Sequence, residues 1–174
     1  MKLLKIKFKA VDSGYEEVLH KHLPHQQLVK FLALGKARAA AKKHPTAIII
    51  AADTIVSFKG QAIGKPKNKK DAIRMLKSFS GKAHITISGV VVLDAAAKRV
   101  FSASRQVTIH FKKLSALDIS QYLEQGEAMD KAGAYGPLGK GINLIKKIEG
   151  DFTVAIGMPL EFVFNSLRKL GVKI

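Results

Sequence analysis

The most constraining feature of the sequence is a pair of long alternating segments, residues 84–94 and 100–111, which are separated by a short alanine-rich turn. Alternation of apolar and polar residues over so many positions is typical of β-strands, and a short connection favours antiparallel pairing. The pattern therefore predicts a long antiparallel hairpin. A sheet built on this hairpin needs apolar elements to cover it, and helical patterns precede and follow it in the chain.

Helical and strand-like patterns interleave along the rest of the 174-residue chain, which predicts an α/β fold with a mixed sheet. Helices are expected over residues 27–43, 68–79, 115–124 and 159–170. Further strands are expected over residues 3–11, 47–52, 55–58, 61–63, 142–148 and 152–156. Lys59 and Gly60 separate two of these strands and predict a hairpin turn. Because no repeat or linker interrupts the pattern, a single domain over residues 1–174 is expected.

The composition excludes several classes of protein. The sequence contains no cysteine, so disulfides, thiolate zinc sites and cysteine nucleophiles are ruled out. No apolar run approaches the roughly 18 residues of a membrane span. Lysines at positions 2, 5, 7 and 9 break the apolar region that a signal peptide would need. We therefore expect a cytoplasmic protein without a membrane partner.

A strong positive charge is the second global feature: 30 Lys and Arg residues against 13 Asp and Glu residues give a net charge of +17. Residues 1–87 carry 18 basic and 5 acidic residues, whereas residues 88–174 carry 12 and 8. A basic half attracts anions such as nucleic acid, nucleotides or acidic lipid. Most of the basic residues are lysines, which bind phosphate as point charges. The alternative is a highly charged, solvated surface without a specific partner.

Asp53 is the residue that most strongly indicates chemistry, because it follows the six small or apolar residues 47–52. That position is typical of the carboxyl end of a buried strand, which is the edge at which open α/β sheets bind ligands. A carboxylate there could hold a divalent metal or accept a proton from water. The alternative is a carboxylate that hydrogen-bonds its own turn together with Thr54.

Two lysines are placed where an anionic ligand could reach them. Lys65 lies between Gly64 and Pro66, which together fix the backbone and permit close approach. Lys36 lies in the middle of a predicted helix among small residues. Each of them is otherwise an ordinary solvated lysine.

Two further segments have both a functional and a structural interpretation. Glu16 and Glu17 are acidic residues in a basic half, and they could be metal ligands or simply balance charge. Residues 130–136 form a small, flexible loop that could wrap a base or a ribose, or could be an ordinary connection.

Short motifs occur in a fixed order over nearly the whole chain. They are Glu16-Glu17, Gly35-Lys36-Ala37, Ala51-Ala52-Asp53-Thr54, Gly64-Lys65-Pro66, Met75-Leu76, Ser80-Gly81-Lys82-Ala83-His84, Ser88-Gly89-Val90, Asp130-Lys131-Ala132-Gly133-Ala134-Tyr135-Gly136, Glu149-Gly150-Asp151-Phe152 and Gly157-Met158-Pro159-Leu160. Together, in this order and spacing, they resemble the Maf family of nucleoside triphosphate pyrophosphatases.

The resemblance implies a fold similar to that of the inosine triphosphate pyrophosphatases, an elongated α/β body with two lobes around a cleft, often present as a homodimer. It also implies a reaction in which water attacks the α-phosphorus of a nucleoside triphosphate and releases pyrophosphate, with a divalent metal, Mg or Mn. In that scheme Asp53 would be the catalytic carboxylate, either as the base or through the metal. Glu16 would help to hold the metal.

The resemblance assigns the remaining candidates to the substrate. Lys36 and Lys65 would neutralise the triphosphate, on which charge grows in the transition state. Thr54 and the loop around Tyr135 would face the base. Leu138 lies in the same loop, at the position that governs base specificity in the family.

Two departures from the family pattern are evident. Family members begin with a strand and a Ser-x-Ser-Pro-Arg-Arg loop, whereas Met1 falls inside what the family uses as its first helix. We therefore expect that strand and loop to be missing and a sheet edge to be exposed. The pyrimidine-selective members follow Tyr-Gly with an isoleucine–glutamine pair, whereas this chain has Pro137-Leu138. Because leucine cannot hydrogen-bond a base edge, no base preference is inferred.

Because of these departures, a second function is also considered. A chain without the Ser-Pro-Arg-Arg loop could be a catalytically impaired protein that binds nucleotides or nucleic acid through its basic half. The candidate residues of the resemblance favour the enzyme, and the charge favours the binding protein.

Overall fold

The computed structural model describes residues 6–16 and 23–174. The helices and longer strands follow in chain order as α1 (His25–Lys43), β1 (Ile48–Phe58), β2 (Gln61–Ile63), α2 (Lys69–Phe79), β3 (Ala83–Asp94), β4 (Arg99–Phe111), α3 (Ala116–Glu124), β5 (Ile145–Glu149), α4 (Phe152–Ala155) and α5 (Leu160–Lys169). Two short 3₁₀ helices, Ala132–Ala134 and Gly139–Leu144, lie between α3 and β5. The strands form a five-stranded sheet in the order β2-β1-β3-β4-β5. This confirms the predicted α/β class with a helix-flanked sheet.

Both predicted hairpins are present, and local turn chemistry explains the first of them. Strands β1 and β2 pair antiparallel, with Val56 opposite Ile63. The two residues between them, Lys59 and Gly60, have φ angles of 51° and 78°. Two positive φ angles are what a two-residue type I′ hairpin turn requires, and glycine meets this requirement without steric cost. Strands β3 and β4 follow each other in the chain and are neighbours in the sheet.

The chain divides into two compact units, and the three longest strands contribute residues to both. Unit 1 consists of Met1–Asp53, Ser88–Arg105 and Gly157–Ile174, and unit 2 consists of Thr54–Ile87 and Gln106–Ile156. Each unit has its own core.

In unit 1, strand β3 is covered by apolar side chains on both of its faces. Val91 and Leu93 cluster with the buried alanines of α1, whereas Val90 and Val92 cluster with residues of α5. Successive side chains of a strand point to opposite faces, so a strand covered on both faces must be apolar at every position. This explains the uninterrupted apolar run Val90–Leu93.

In unit 2, the amphipathic helix α2 supplies much of the core. Its buried residues are Ala72, Met75, Leu76 and Phe79, and they pack with apolar residues of β4 and α3. The helix begins where predicted, because the Asn68 side chain accepts a hydrogen bond from the Asp71 N–H at 2.9 Å and so caps the first turn. Within residues 6–16 and 23–174, no helix is long and apolar enough to cross a membrane.

Two predicted strands, over residues 3–11 and 152–156, are wrong for the residues that the structure describes. Of the strand predicted over residues 3–11, residues 6–11 have no regular structure, and residues 3–5 lie outside the described residues. Phe8 is 52% exposed, so the alternating pattern does not correspond to a buried face. Residues 152–155 form helix α4, because the Asp151 side chain accepts the Thr153 N–H at 2.7 Å and caps a helical turn. The β-branched residues of this segment favoured the wrong prediction.

Two further predictions need corrected boundaries. The segment expected as a strand over residues 142–148 begins in the 3₁₀ helix Gly139–Leu144, and the strand starts only at Ile145. The segments 47–52 and 55–58 are one continuous strand, β1, and its first half is partly exposed rather than buried.

Candidate active site

A short ion pair in unit 1 joins two of the residues selected from the sequence. Lys36 Nζ, on α1, donates to Asp53 Oδ1, on β1, at 2.5 Å. The Asp53 side chain is 10% exposed and the Lys36 side chain 25%, so both charges are largely withdrawn from water. Charges attract each other more strongly where solvent is excluded, so this contact differs from an ordinary surface pair.

The position of Asp53 in its strand differs from the sequence prediction. Asp53 was expected at the carboxyl end of a strand, but β1 continues through it to Phe58. The strand is extended because residues 56–58 pair with β2 in the hairpin. The strand end predicted at Asp53 is therefore wrong, although the Asp53 side chain lies against Lys36.

Gly35 explains how the neighbouring N-terminal segment approaches Lys36. A Cβ atom at Gly35 would collide with the ring of Tyr15 and would lie 2.7 Å from its hydroxyl oxygen. The Tyr15 ring therefore lies directly on the backbone of α1, in a space that only glycine leaves open. Glu16 follows Tyr15 and is exposed. The contact of Tyr15 was not predicted from the sequence, although a glycine inside an alanine-rich helix is a signal of such a close approach.

Lys36 also borders an open groove of about 760 Å³ in unit 1. The groove is lined by residues 6–13, residues 47–52, the α1 side chains of Lys36 and Ala40, and His44 just after α1. Its walls are mainly apolar along β1, and Lys36 is the cation among its α1 residues. The lysine is therefore accessible from solvent on this side although it is paired with Asp53.

In unit 2, the structure brings the Lys65 segment together with the loop of residues 130–138. The Gly133 N–H donates to the Gly64 carbonyl oxygen at 3.0 Å. Pro66 is buried and Lys65 is exposed, so the backbone is anchored while the ammonium group remains in solvent. Asp130, in the same loop, has its pKa lowered mainly by the hydrogen bond from Lys131, and Lys65 contributes through its charge.

Tyr135 is held in place by a buried histidine. Its hydroxyl and His84 Nε2 are hydrogen-bonded at 2.6 Å, and both residues are less than 5% exposed. The His84 ring stacks on Phe79, with ring centroids 4.5 Å apart. Burial lowers the pKa of His84 to about 4 and raises the pKa of Tyr135. His84 is therefore neutral near pH 7, and the Tyr135 hydroxyl is engaged inside the protein.

The remaining substrate-binding candidates lie in unit 2 as well. Leu138 is 58% exposed and Thr54 is partly buried at the start of the unit. The structure thus brings Lys36 and Asp53 into contact and links the segments of Lys65 and Tyr135. His84 could be recognised from the sequence only as part of a motif, because nothing local in the sequence connects it with a tyrosine 51 residues later.

The residues present suit a magnesium-type ion in ligand chemistry. Asp53 and Glu16 would supply carboxylate oxygens, and no cluster of three or more His, Asp or Glu residues occurs within residues 6–16 and 23–174. Mg²⁺ is usually held by one or two carboxylates together with water and substrate phosphates.

A helix-flanked sheet that carries a lysine-paired carboxylate and an anchored, lysine-bearing loop places the chain among α/β proteins suited to anionic ligands. The chain matches the Maf-like protein family model over residues 1–170, and it belongs to that family. The resemblance inferred from the sequence motifs is thereby confirmed.

Three relatives illustrate the similarity. The chain is 39% identical over 173 residues to a dTTP/UTP pyrophosphatase of Bacillus velezensis, covering 99% of this chain and 90% of the relative. It is 39% identical over 167 residues to a dTTP/UTP pyrophosphatase of Dictyoglomus turgidum, covering 95% and 86%. It is 38% identical over 167 residues to a dTTP/UTP pyrophosphatase of Methanosarcina barkeri, covering 96% and 85%.

Proposed function

We propose that this chain is an enzyme that hydrolyses a nucleoside triphosphate to the monophosphate and pyrophosphate. Relatives named dTTP/UTP pyrophosphatases support the reaction class, since they align with nearly the whole chain. The observation that carries the proposal is the largely shielded contact between Lys36 and Asp53. A carboxylate held by a lysine is suited to orient water and to lie close to an anionic substrate.

In the proposed reaction, a water oxygen forms a bond to the α-phosphorus, and the bond from that phosphorus to the bridging oxygen of the β-phosphate breaks. Pyrophosphate leaves with the bonding electron pair, and Asp53 accepts the proton that the water loses. Lys36 holds the Asp53 carboxylate in position through their hydrogen bond. Lys36 and Lys65 offset negative charge on the phosphate oxygens.

A divalent metal, Mg or Mn, is part of the proposal because the substrate carries several negative charges. Asp53 and Glu16 are the residues that would hold it, and the bound ion would withdraw charge from the phosphate oxygens. Lys36 donates a hydrogen bond to Asp53 Oδ1. The Asp53 carboxylate would therefore bind the Lys36 ammonium group and the metal at the same time.

For the substrate, we propose UTP and dTTP as the first candidates, since these are named for the relatives. Thr54 and Leu138 are the residues proposed to contact the nucleoside, whereas Tyr135, expected from the resemblance to face the base, is buried and is proposed as a positioning residue. The exposed Leu138 would provide an apolar contact, and Tyr135 would position the loop through its bond to His84.

A cytoplasmic homodimer is proposed on the family resemblance alone, and sedimentation of the purified protein measures its mass.

The test is pyrophosphate release from a panel of ribo- and deoxyribonucleoside triphosphates with Mg²⁺ or Mn²⁺. The wild-type chain is compared with Asp53→Asn and with the matched control Asp94→Asn. Asp94 caps the β3–β4 turn through its side chain, which an asparagine can also do. We expect Asp53→Asn to lower kcat by about 10²- to 10⁴-fold, the usual contribution of a general base, and Asp94→Asn to leave it near the wild-type value.

Two outcomes contradict the proposal in different ways. Absence of release from every triphosphate rejects the enzymatic function. Release that persists undiminished in Asp53→Asn rejects the assignment of the base while keeping the reaction. Circular dichroism of each variant confirms that the comparison is between folded proteins.

A further inference from the structure

A concentrated basic surface in unit 2 has no role in the proposed reaction. Between Lys59 and Lys82 the chain has eight Lys and Arg residues and one acidic residue, Asp71. All eight basic residues are exposed. We define the basic surface as these residues without Lys65, which is assigned to the triphosphate. Its members are Lys59, Lys67, Lys69, Lys70, Arg74, Lys77 and Lys82.

The helix α2 aligns the central part of this surface. Its apolar face is buried in the core of unit 2, and the charged residues lie on the opposite face. Lys70, Arg74 and Lys77 have the spacing i, i+4 and i+7, which places them on one side of a helix. At about 1.5 Å per residue, this row of charges extends roughly 10 Å along the helix axis.

The hairpin and the end of α2 extend the row. Lys82 Nζ donates to the Ser78 carbonyl oxygen at 3.2 Å, so this lysine turns back along the last turn of the helix. The ammonium groups of Lys59 and Lys82 lie 5.8 and 6.0 Å from the centre of the Phe58 ring. The tip of the β1–β2 hairpin therefore adds its charge next to that of Lys82.

The one carboxylate in this stretch is already engaged locally. Asp71 accepts hydrogen bonds from the Arg74 side chain at 2.6 Å and from the Lys67 N–H at 3.1 Å. It balances a single charge near the start of α2. The excess of positive charge on the surface therefore remains available to a partner.

The chemistry of the surface favours a nucleic-acid backbone over a membrane. A membrane-surface helix inserts its apolar face into the lipid, but the apolar face of α2 is packed inside unit 2. Within residues 59–82, all of which the structure describes, no large apolar side chain is highly exposed. Six of the seven basic residues are lysines, which contact phosphates without reading bases.

We infer that the basic surface binds the sugar-phosphate backbone of nucleic acid without sequence preference. This binding is independent of the proposed hydrolysis, because none of its residues is assigned to the nucleotide. Affinity that depends on several phosphate contacts falls steeply with salt, and the slope reports the number of contacts.

The experiment measures the binding of a fluorescent oligonucleotide of about 20 nucleotides, single-stranded or duplex and without a triphosphate end, over a range of salt concentrations. The test variant is Lys70→Gln/Lys77→Gln/Lys82→Gln. The matched control is Lys42→Gln/Lys169→Gln/Lys173→Gln, which removes three exposed lysines from unit 1. A third variant replaces Lys70, Lys77 and Lys82 by arginine and keeps the charge.

The test variant is expected to bind the single strand about a hundredfold more weakly at 0.1 M salt, because each lost contact lowers the salt slope by about 0.7. The control and the arginine variant should bind nearly as the wild type does, and pyrophosphate release should be unchanged in all three. Comparison of the single strand with the duplex identifies which form of the backbone is preferred.

Several results would overturn the inference. If the wild-type protein binds neither oligonucleotide at low salt, the inference is wrong. If the control variant loses as much oligonucleotide affinity as the test variant, binding depends only on the net charge of the protein and not on the basic surface. Binding to phosphatidylserine-rich vesicles without binding to oligonucleotides assigns the surface to a membrane instead. A fall in kcat/KM with unchanged oligonucleotide binding shows that the surface attracts the nucleotide substrate. If the test variant is unfolded, weak binding by the folded arginine variant also contradicts the inference.

Discussion

The buried His84 predicts that the fold loses stability in mild acid. His84 is 3% exposed, and burial, with a smaller effect from the charge of His110, lowers its pKa from the ordinary 6.5 to about 4. In the unfolded chain the imidazole takes up a proton as the pH falls below 6.5. In the folded protein it stays neutral until about pH 4. The unfolded state therefore binds more protons over this window, and acid favours unfolding.

The size of the effect follows from the two pKa values. Each pKa unit corresponds to about 1.4 kcal/mol, so the full gap is worth roughly 3 kcal/mol by pH 4. Between pH 7 and pH 5, about 2 kcal/mol of the free energy of unfolding should be lost through His84. Stability from this source is complete above pH 6.5 and decreases as the pH falls. The lowered carboxyl pKa values of Asp71, Asp118, Asp130 and Glu149 have their effect at lower pH.

Urea unfolding at pH 7 and pH 5 measures this loss directly. The variant His84→Phe keeps a ring against Phe79 and removes the titrating group. It also leaves the Tyr135 hydroxyl without its partner, but that cost is the same at both pH values. His25→Gln, which removes a partly exposed imidazole, is the control. If His84→Phe loses as much stability as the wild type between pH 7 and pH 5, the assignment of the acid sensitivity to His84 is wrong.

Three further predictions concern single contacts. Gly89→Ala should destabilise the protein by about 3 kcal/mol, seen in the urea midpoint, because its Cβ would collide with backbone atoms of α1; an unchanged midpoint would contradict this packing. Tyr135→Phe should lower the free energy of unfolding by about 1–3 kcal/mol, because it leaves buried His84 Nε2 unpaired. The double variant with His84→Phe should lose less stability than the sum of the two single variants, and strict additivity would contradict the hydrogen bond. Gly35→Ala should displace the Tyr15 ring and change the NMR signals of that ring. The melting temperature should shift little, because alanine favours a helix over glycine by about 1 kcal/mol and offsets the lost contact. Unchanged signals would show that the ring does not cover Gly35.

Much of the fold follows from local sequence signals. The Asn68 cap and the Lys59-Gly60 turn each act within a few neighbouring residues, and the strand-like segments 84–94 and 100–111 are joined by a short turn. Such signals work because capping and turn formation depend on the backbone close to the residue concerned. The separate short motifs that run from Glu16-Glu17 to Gly157-Met158-Pro159-Leu160 were sufficient, in their order and spacing, to recognise the family. For residues 152–156 two local signals disagree, because the β-branched residues favour a strand whereas the Asp151 cap begins helix α4.

The contacts of the candidate site depend on tertiary structure. Asp53 could be selected from the sequence, but its partner Lys36 lies 17 residues away on another element. Tyr135 and His84 are 51 residues apart, and only folding buries both and engages the hydroxyl. Tyr15 against Gly35 is a contact of the same kind. The sequence by itself therefore determined which residue types are present and which local backbone conformations they favour. Folding decided which charges and hydroxyls meet, because burial and hydrogen bonding depend on residues that only the folded chain brings together.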